Sequence, residues 1–480
     1  MPHANFEGRV LFLGYGAVAQ CTIPILLKMI NIREQQIVIL DMVDPPHALR
    51  FAFHRVHLVK ENLDEILSRY LRKDDLLIDL AWEIDTRDLL KWCYDHGVLY
   101  TNASLERWEP YMDATTVDPR EFTLYTRHAA LTDMIKDWPE NSPTAIIDHG
   151  ANPGLVSHLV KRGLRDIARK VLTEPDVSHE EKELLRNLLN KEKWNELANS
   201  LNVKTIHISE RDTQISNIPK KVNEFVNTWS PQGLYEEAIA PAELGWGTHE
   251  KTLPSNAMTY EAGPRNQILL TSKGMDTFVR SWVPDYDIVG MVVRHGEAYT
   301  ISDYLSVKNQ EGEVIYRPTV HYAYCASDAA IQSLYELRMN HYTMPTRTRV
   351  LKDDIVSGKD TLGCLLMGHR YKAWWIGSIL DIAEARSLVP HENATTIQVA
   401  ATMAAGVRWM LMHPHKGVRV PDRVPYEEIL HNALPYLGEF VSKPVDWSPL
   451  QSRRKEAPFD YTREKLPERE EWQFKDFLLQ

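Results

Sequence analysis

The stretch Arg9-Val-Leu-Phe-Leu-Gly14-Tyr-Gly16-Ala17-Val18-Ala19 decides the fold. Residues of strand-like composition, Arg9 to Leu13, run straight into G-x-G-x-x-A, and an apolar, helix-compatible segment follows from Cys21 to Ile30. A second apolar run, Ile37 to Leu40, stops at Asp41, about 20 positions past Ala19, the spacing of a dinucleotide fingerprint. Gly14 permits the tight turn, Gly16 lets backbone approach a pyrophosphate, and Ala19 is small enough for helix and strand to pack closely. Ala17 and Val18 open the helix, whose free N–H groups and positive dipole end suit phosphates. Asp41 can accept hydrogen bonds from the adenosine ribose hydroxyls. A 2′-phosphate would meet its carboxylate, so NAD is expected over NADP.

The alternation of strand and helix continues outward. Leu76 to Leu80 reads as a buried strand, Thr86 to His96 as a helix stopping at Gly97, and Val98 to Thr101 as the next strand. Thr144 to Ile147 closes the series, which implies parallel βαβ units in a Rossmann-type, doubly wound α/β sheet. Ligands sit at the carboxyl ends of such strands. That places Leu80, Ala81 and Glu83, then Asn102, Ala103 and Glu106, then Asp148 to Asn152 with Gly150, on the cofactor face. Pro153 pushes Asn152 to an extended backbone, so the amide can face nicotinamide or substrate.

Beyond this half, Ser178 to Ser200 is rich in Glu, Lys and Leu and reads as a pair of solvated helices. From Val203 the texture changes to short strands and turns: Lys204 to Ser209, Gln267 to Thr271, Val289 to Arg294 and Ala298 to Val307. A second, mixed α+β domain is expected there. Thr395 to Met412 has long helix-compatible apolar content that can return to pack on the first domain. These readings divide the chain into residues 1–150, completed by a segment near 385–420, then 151–380, and a tail over 421–480. The tail is charged but carries Trp447, Phe459, Tyr461, Trp472 and Phe474, so it is expected to wrap the surface.

Composition sets the outer bounds. With 44% apolar and 25% charged residues the chain reads as an ordinary soluble globular protein. No apolar run reaches the ~18 residues of a membrane span, and the first strand begins too early to leave room for a signal peptide. Cys21, Cys93, Cys325 and Cys364 form no CxxC pair or zinc pattern, which suits reduced thiols in the cytoplasm. No metal site is expected. The formal charge of −11 argues against nucleic-acid binding.

Acids and aromatic residues recur in the second half. Ile206-His-Ile-Ser-Glu210-Arg-Asp212-Thr-Gln214 places Glu210 and Asp212 on one side of an extended strand. Asn227-Thr-Trp229-Ser230, Glu236-Glu237 and Pro241-Ala-Glu-Leu-Gly-Trp-Gly-Thr248 follow. Carboxylates pair with ammonium groups and an indole face attracts them, so this pattern would suit a diammonium ligand, although surface acids and core tryptophans give the same composition. His295-Gly-Glu297 follows the apolar run Gly290 to Val293, and a His beside a Glu at a strand end is an acid/base candidate.

Taken together, the G-x-G-x-x-A start, GANPG, IHISERDTQ, VNTWS, PAELGWGT, RHGE, YRPTVHYAY and the late NAT segment resemble the bacterial homospermidine synthases, in the wider saccharopine dehydrogenase-like group. The likeness runs from Val10 to Phe477. It implies an enzyme that uses NAD as a bound prosthetic group to transfer an aminobutyl group, joining two putrescine molecules into homospermidine with release of ammonia. It also implies a homodimer, with the second domain providing much of the contact. By the same resemblance Trp229 matches a cation-binding tryptophan, and Glu210 and Glu237 match acidic substrate positions. Asn152 and His295 match polar groups near the reacting carbon, and Glu297 and Glu106 match further acids of the substrate channel; Asp212 joins them as a substrate-binding acid. Where related chains have a short NLS-x-D stretch, this one reads Leu80-Ala-Trp-Glu83-Ile-Asp85. Glu83 best fits the acidic position, with Asp85 as the alternative.

Two other classes compete. A saccharopine or carboxynorspermidine dehydrogenase would cradle substrate carboxylates with paired arginines, for which Arg211 and Arg265 are the candidates. A non-catalytic NAD-binding regulator would convert no diamine.

Overall fold

Val10–Leu13 (β1) is four apolar residues buried at every position, as expected of a strand covered on both faces. It lies inside a seven-stranded parallel sheet with Ile37–Asp41 (β2), Ala52–Arg55 (β3), Leu76–Asp79 (β4), Leu99–Asn102 (β5) and Ala145–Ile146 (β6). The seventh strand, Val418–Arg419, pairs with β6. β1 is flanked by β2 and β4, so the order reverses at β1 and a crevice opens between the ends of β1 and β4. Helix α1, Ala17–Met29, begins directly after Gly16 and has no side-chain cap. Helix α2, Thr86–His96, starts on the Asp85 carboxylate, which accepts from the Arg87 N–H, and ends on Gly97 at φ 70. The computed structural model describes residues 4–45, 47–110, 116–453 and 470–479.

The second layer begins with α3, Leu155–Thr173, whose buried face packs on a ten-stranded mixed sheet. At the sheet centre lies Thr205–Asp212 (β7). Past helix α4, Pro231–Ile239, come Pro241–Gly245 (β8), Ala257–Thr259 (β9) and Gln267–Lys273 (β10), which form one wing. The hairpin of Phe278–Val283 and Tyr286–Met291 leads to helix α5, Gly296–Tyr304, and then Thr319–Cys325 (β11), parallel to β7. Lys359–Met367 (β12) pairs antiparallel on the other side of β7, followed by Ala373–Asp381 (β13) and, at the edge, Glu439–Val445 (β14).

One expected strand is a helix. Ala298 to Val307 is expected among the short strands and turns, yet Ala298 to Tyr304 belongs to α5 and only Val307, with Lys308, lies in a strand. Gly296 to Ser302 are all buried, so the segment shows no amphipathic period, and a short apolar run of this kind fits either element until packing selects one. The charged segment forms two helices, His179–Asn190 and Trp194–Ser200, that are solvated on one face only; Leu185, Leu188, Trp194 and Leu197 are buried. Helix α6, Ala394–Met412, is buried along most of its length and packs on α1. The chain thus returns to the first layer after building the second. Trp447, Trp472, Phe474 and Phe477 share an apolar cluster with Leu365, Met367 and Trp375 of β12 and β13. Phe459 and Tyr461 lie outside the described residues. All four cysteines are free thiols, with Cys325 the least buried. Among the described residues no helix is long and apolar enough to cross a membrane.

Candidate functional site

β7 brings Glu210 and Asp212 to one face of the second sheet, and its neighbours add to that face. Tyr324 of β11 stands opposite Glu210, and Asp360 of β12 stands opposite Asp212. Three carboxyl groups from two strands therefore meet in a space that is at most 2% exposed at each. Burial raises the Glu210 carboxyl to about 8, with Asp212 adding to the rise; hydrogen bonds from Tyr322 and Asn152 and the nearby His295 oppose it. Asp212 and Asp360 are raised in the same direction, first by burial and for Asp360 also by both neighbours. Asp212 is well supplied with donors: Oδ1 accepts from the Gln214 N–H at 2.8 Å and its amide at 3.1 Å, and Oδ2 from the Thr228 hydroxyl at 2.7 Å. Asp360 Oδ2 accepts from the Thr395 hydroxyl at 2.6 Å, while Oδ1 is buried without a hydrogen-bond partner among the described residues.

Glu210 is held from two sides. The Tyr322 hydroxyl and the Asn152 amide, at 3.2 Å, both donate to its Oε2. Asn152 belongs to the loop after β6, so this bond joins the first sheet to the second. Trp229 follows the strand Glu224–Asn227 and precedes α4. Its Nε1 donates to the Tyr324 hydroxyl at 3.1 Å, and the Tyr322 and Tyr324 rings stack at 5.0 Å.

His295 is the N-cap residue of α5 and stands between two acids, with Nε2 3.1 Å from Glu237 Oε2 and Nδ1 3.3 Å from Glu297 Oε2. Burial disfavours its charged form, but the two carboxylates outweigh burial and hold its pKa well above the ordinary histidine value. Its ring meets Tyr322 edge-on at 4.4 Å, which places it beside the Glu210 group.

Glu236, also buried, precedes Glu237 on α4. Its Oε1 accepts from Trp82 Nε1 at 2.6 Å and its Oε2 lies 3.4 Å from Arg294. Glu83, at φ 59 on the loop after β4, has its pKa raised by burial and by Glu236 and Glu109. Glu106 is raised by burial and by Glu236, against Arg127. Asp85 is engaged elsewhere, capping α2 and pairing with Arg87 at 3.0 Å. Neither candidate arginine faces the buried acids with its guanidinium. Arg211 donates to the Asp212 and Ala326 carbonyls and to Asp328, and Arg265 is exposed in the loop before β10.

The crevice at β1 carries the glycine turn. Gly14 adopts φ 88, and a Cβ there would stand 2.7 Å from the Leu80 carbonyl oxygen. A Cβ on Gly16 would meet nothing within 4 Å, so the turn is open on the side where α1 begins. Asp41 ends β2 and ties the turn down: Oδ2 accepts from the Tyr15 N–H at 2.6 Å and Oδ1 from the Val43 N–H at 2.8 Å. Ala17 and Val18 open α1, and Ala81 accompanies Leu80 beside the turn. Asn102 is 1% exposed and knots the loops after β5 and β6, donating to Ser104 and accepting from the Asp148 N–H. Ala103 and Pro153 pack against Gly150.

Sequence reasoning missed Asp360, Tyr322, Tyr324, Glu236 and Trp82 as site residues. A signal existed for the tyrosines: His321-Tyr-Ala-Tyr324 has the same two-residue period as Glu210 and Asp212. Asp360 had none, because only its register against β7 places it.

Two family models divide the chain. The saccharopine dehydrogenase NADP binding domain matches residues 10–146, and the saccharopine dehydrogenase C-terminal domain matches residues 150–445. The chain is 34% identical over 486 residues to a homospermidine synthase of Mesorhizobium japonicum, covering 99% of this chain and 97% of that one. It is 33% identical over 487 residues to a homospermidine synthase of Blastochloris viridis, covering 99% and 98%. The crystal structure of a homospermidine synthase from Legionella pneumophila in complex with NAD has a TM-score of 0.87 at 34% identity, covering 100% of this chain and 99% of that chain. A saccharopine dehydrogenase (L-Glu forming) from Saccharomyces cerevisiae shares the fold, with a TM-score of 0.50 at 11% identity, covering 92% and 100%.

Proposed function

The chain belongs to the homospermidine synthase family of the saccharopine dehydrogenase-like group, and from that premise we propose that it joins two putrescine molecules into homospermidine with release of ammonia. The observation that carries this reading is the buried set Glu210, Asp212 and Asp360, toward which neither Arg211 nor Arg265 turns its guanidinium. Such a space rejects a carboxylate and accepts an ammonium group, which separates the reading from an amino-acid dehydrogenase.

The glycine turn fits NAD. Gly16 is open where a pyrophosphate would lie, the first N–H groups of α1 have no side-chain cap, and Asp41 stands at the ribose end. When bound, NAD supplies reversible hydride acceptance, so that oxidation of the first amine and reduction of the later imine leave no net redox change. The chain's own residues handle the charges. A primary amine arrives protonated, and its carbon releases a hydride only from the neutral amine. Glu210, at the junction with the Asn152 loop, takes that proton. The Trp229 ring stabilises the iminium charge that then develops beside it. Asp360 Oδ1, one of several buried acid oxygens without a hydrogen-bond partner among the described residues, holds the distal ammonium, and Asp212 supports it through charge. The second amine adds to the iminium carbon, ammonia leaves with a proton from the site acids, and the new imine is reduced. His295, kept charged by Glu237 and Glu297, holds their carboxylates in place around the reacting amines. Glu83 and Glu106 supply negative charge at the entrance.

The test is stoichiometry. Incubation with putrescine and catalytic NAD is expected to yield ammonia and homospermidine in equal amounts. Stoichiometric NADH with no coupled polyamine would replace the synthase by a dehydrogenase. The Asp41 carboxylate gives a second expectation: calorimetric titration should show NADP binding at least about tenfold weaker than NAD, the scale of one unfavourable charged contact. Equal affinities would remove Asp41 as the discriminating group. The active species is a homodimer, expected as a single dimeric mass in light scattering at micromolar concentration.

A further inference from the structure

We propose that Trp82 sets the length of diamine the cleft accepts, by closing the outer end of the cleft with its indole ring. The inference rests on the diamine reading above. The inner acids are buried and Trp82 is exposed. Glu210, Asp212 and Asp360 are at most 2% exposed, His295 is 6% exposed, and Trp82 stands at the far end at 46%. Contacts connect them in that order. His295 meets Tyr322, which donates to Glu210; His295 also pairs with Glu237; Arg294, the residue before His295, lies 3.4 Å from Glu236 Oε2; and Trp82 donates to Glu236 Oε1 at 2.6 Å.

Trp82 is not placed loosely. Its loop starts at Leu80, whose carbonyl abuts Gly14, and ends at Asp85, which caps α2. The ring edge that carries the N–H is turned to Glu236, so the rest of the indole remains at the mouth. A large apolar ring left half in water with its one polar atom bonded inward suits a wall that a ligand covers. Glu83 and Glu106 lie within electrostatic reach of the same Glu236. Arg294 pairs with Glu236 from the inner side, so Glu83, Glu106 and the indole face of Trp82 are left as the elements at the mouth that can hold an ammonium group. A ligand charged at both ends is measured between the inner acids and this outer wall. Strands and a capped loop fix both ends, so the span between them is a property of the fold.

The experiment uses the full chain loaded with NAD and follows ammonia release from 1,3-diaminopropane, putrescine and cadaverine. Trp82→Ala is expected to lower kcat/KM for putrescine about fivefold, the worth of a partly exposed cation–π contact. It should also shift the cadaverine-to-putrescine ratio about fivefold toward cadaverine. Trp82→Phe keeps the ring and should keep the wild-type ratio. The NAD dissociation constant is expected to stay unchanged in both. Trp82→Leu carries the same comparison if the alanine variant loses its fold. A wild-type protein active on diamines but with an unchanged length preference in the small-residue variants would overturn the proposal and leave Trp82 as a strut between domains. A wild-type protein inactive on all three diamines would overturn the diamine reading and this inference together, before any substitution is made.

Discussion

Glu210→Gln is expected to lower kcat/KM for putrescine by about 100-fold or more, the scale of losing a general base. The substitution preserves shape and removes the ability to take a proton. It should also change the pH profile. Burial raises this carboxyl from 4.5 to about 8, so the free enzyme holds it protonated at neutral pH. The acid limb of kcat/KM is therefore expected to rise through about pH 8 in the wild type and to flatten in the glutamine variant. Stability moves the other way. Between 4.5 and about 8 the folded protein binds a proton that the unfolded chain has released. The contribution is present at low pH and is lost as pH rises through that window. Thermal melts of ligand-free protein should thus show the wild type losing stability from pH 5 to pH 9 relative to Glu210→Gln. An unchanged kcat/KM in the variant would remove Glu210 from the chemistry.

Trp229→Ala is expected to reduce putrescine turnover by roughly thirtyfold, the equivalent of ~2 kcal/mol for a desolvated cation–π contact. Trp229→Phe should fall between, because it keeps a π face but loses the indole N–H that bonds the Tyr324 hydroxyl at 3.1 Å. The order of activity is Trp, then Phe, then Ala, with NAD affinity unchanged. A packing role alone predicts a different pattern. The Trp229 ring sits against Gly233 of α4 and is partly buried against the main core, so a purely structural tryptophan would lose melting temperature, NAD binding and turnover together on truncation. Full turnover in a stable alanine variant would defeat both roles.

Much of the first domain was legible because its signals are local. The glycine turn, the strand before it and Asp41 after it lie within one βαβ unit, and Gly97 ends α2 by a conformation that its own backbone prefers. Long motifs such as IHISERDTQ and VNTWS carried Glu210 and Trp229 by resemblance. Where the local signal was ambiguous the reading failed, as at Ala298 to Tyr304, whose burial on nearly all sides leaves no period to read. The choice between Glu83 and Asp85 was open for the same reason. Both are acids on one loop, and only the structure shows Asp85 engaged at the helix cap while Glu83 lies near Glu236.

The Rossmann-type α/β half, the place of Asp41 at the end of the second strand and the acid-rich, aromatic character of the second half are all written in the order of residues along the chain. Each rests on chain neighbours, whose spacing is set by helix and strand periods. Which of those acids meet is a matter of three-dimensional packing. Asp360 joins Glu210 and Asp212 only because β12 pairs with β7 in one register, and a shift by one residue would turn Asp360 to the opposite face. Asn152 reaches Glu210, and Trp82 reaches Glu236, only because the two sheets are packed with these loops in contact. Register and domain packing are set by the sum of many distant apolar contacts, so no short stretch of the chain records them.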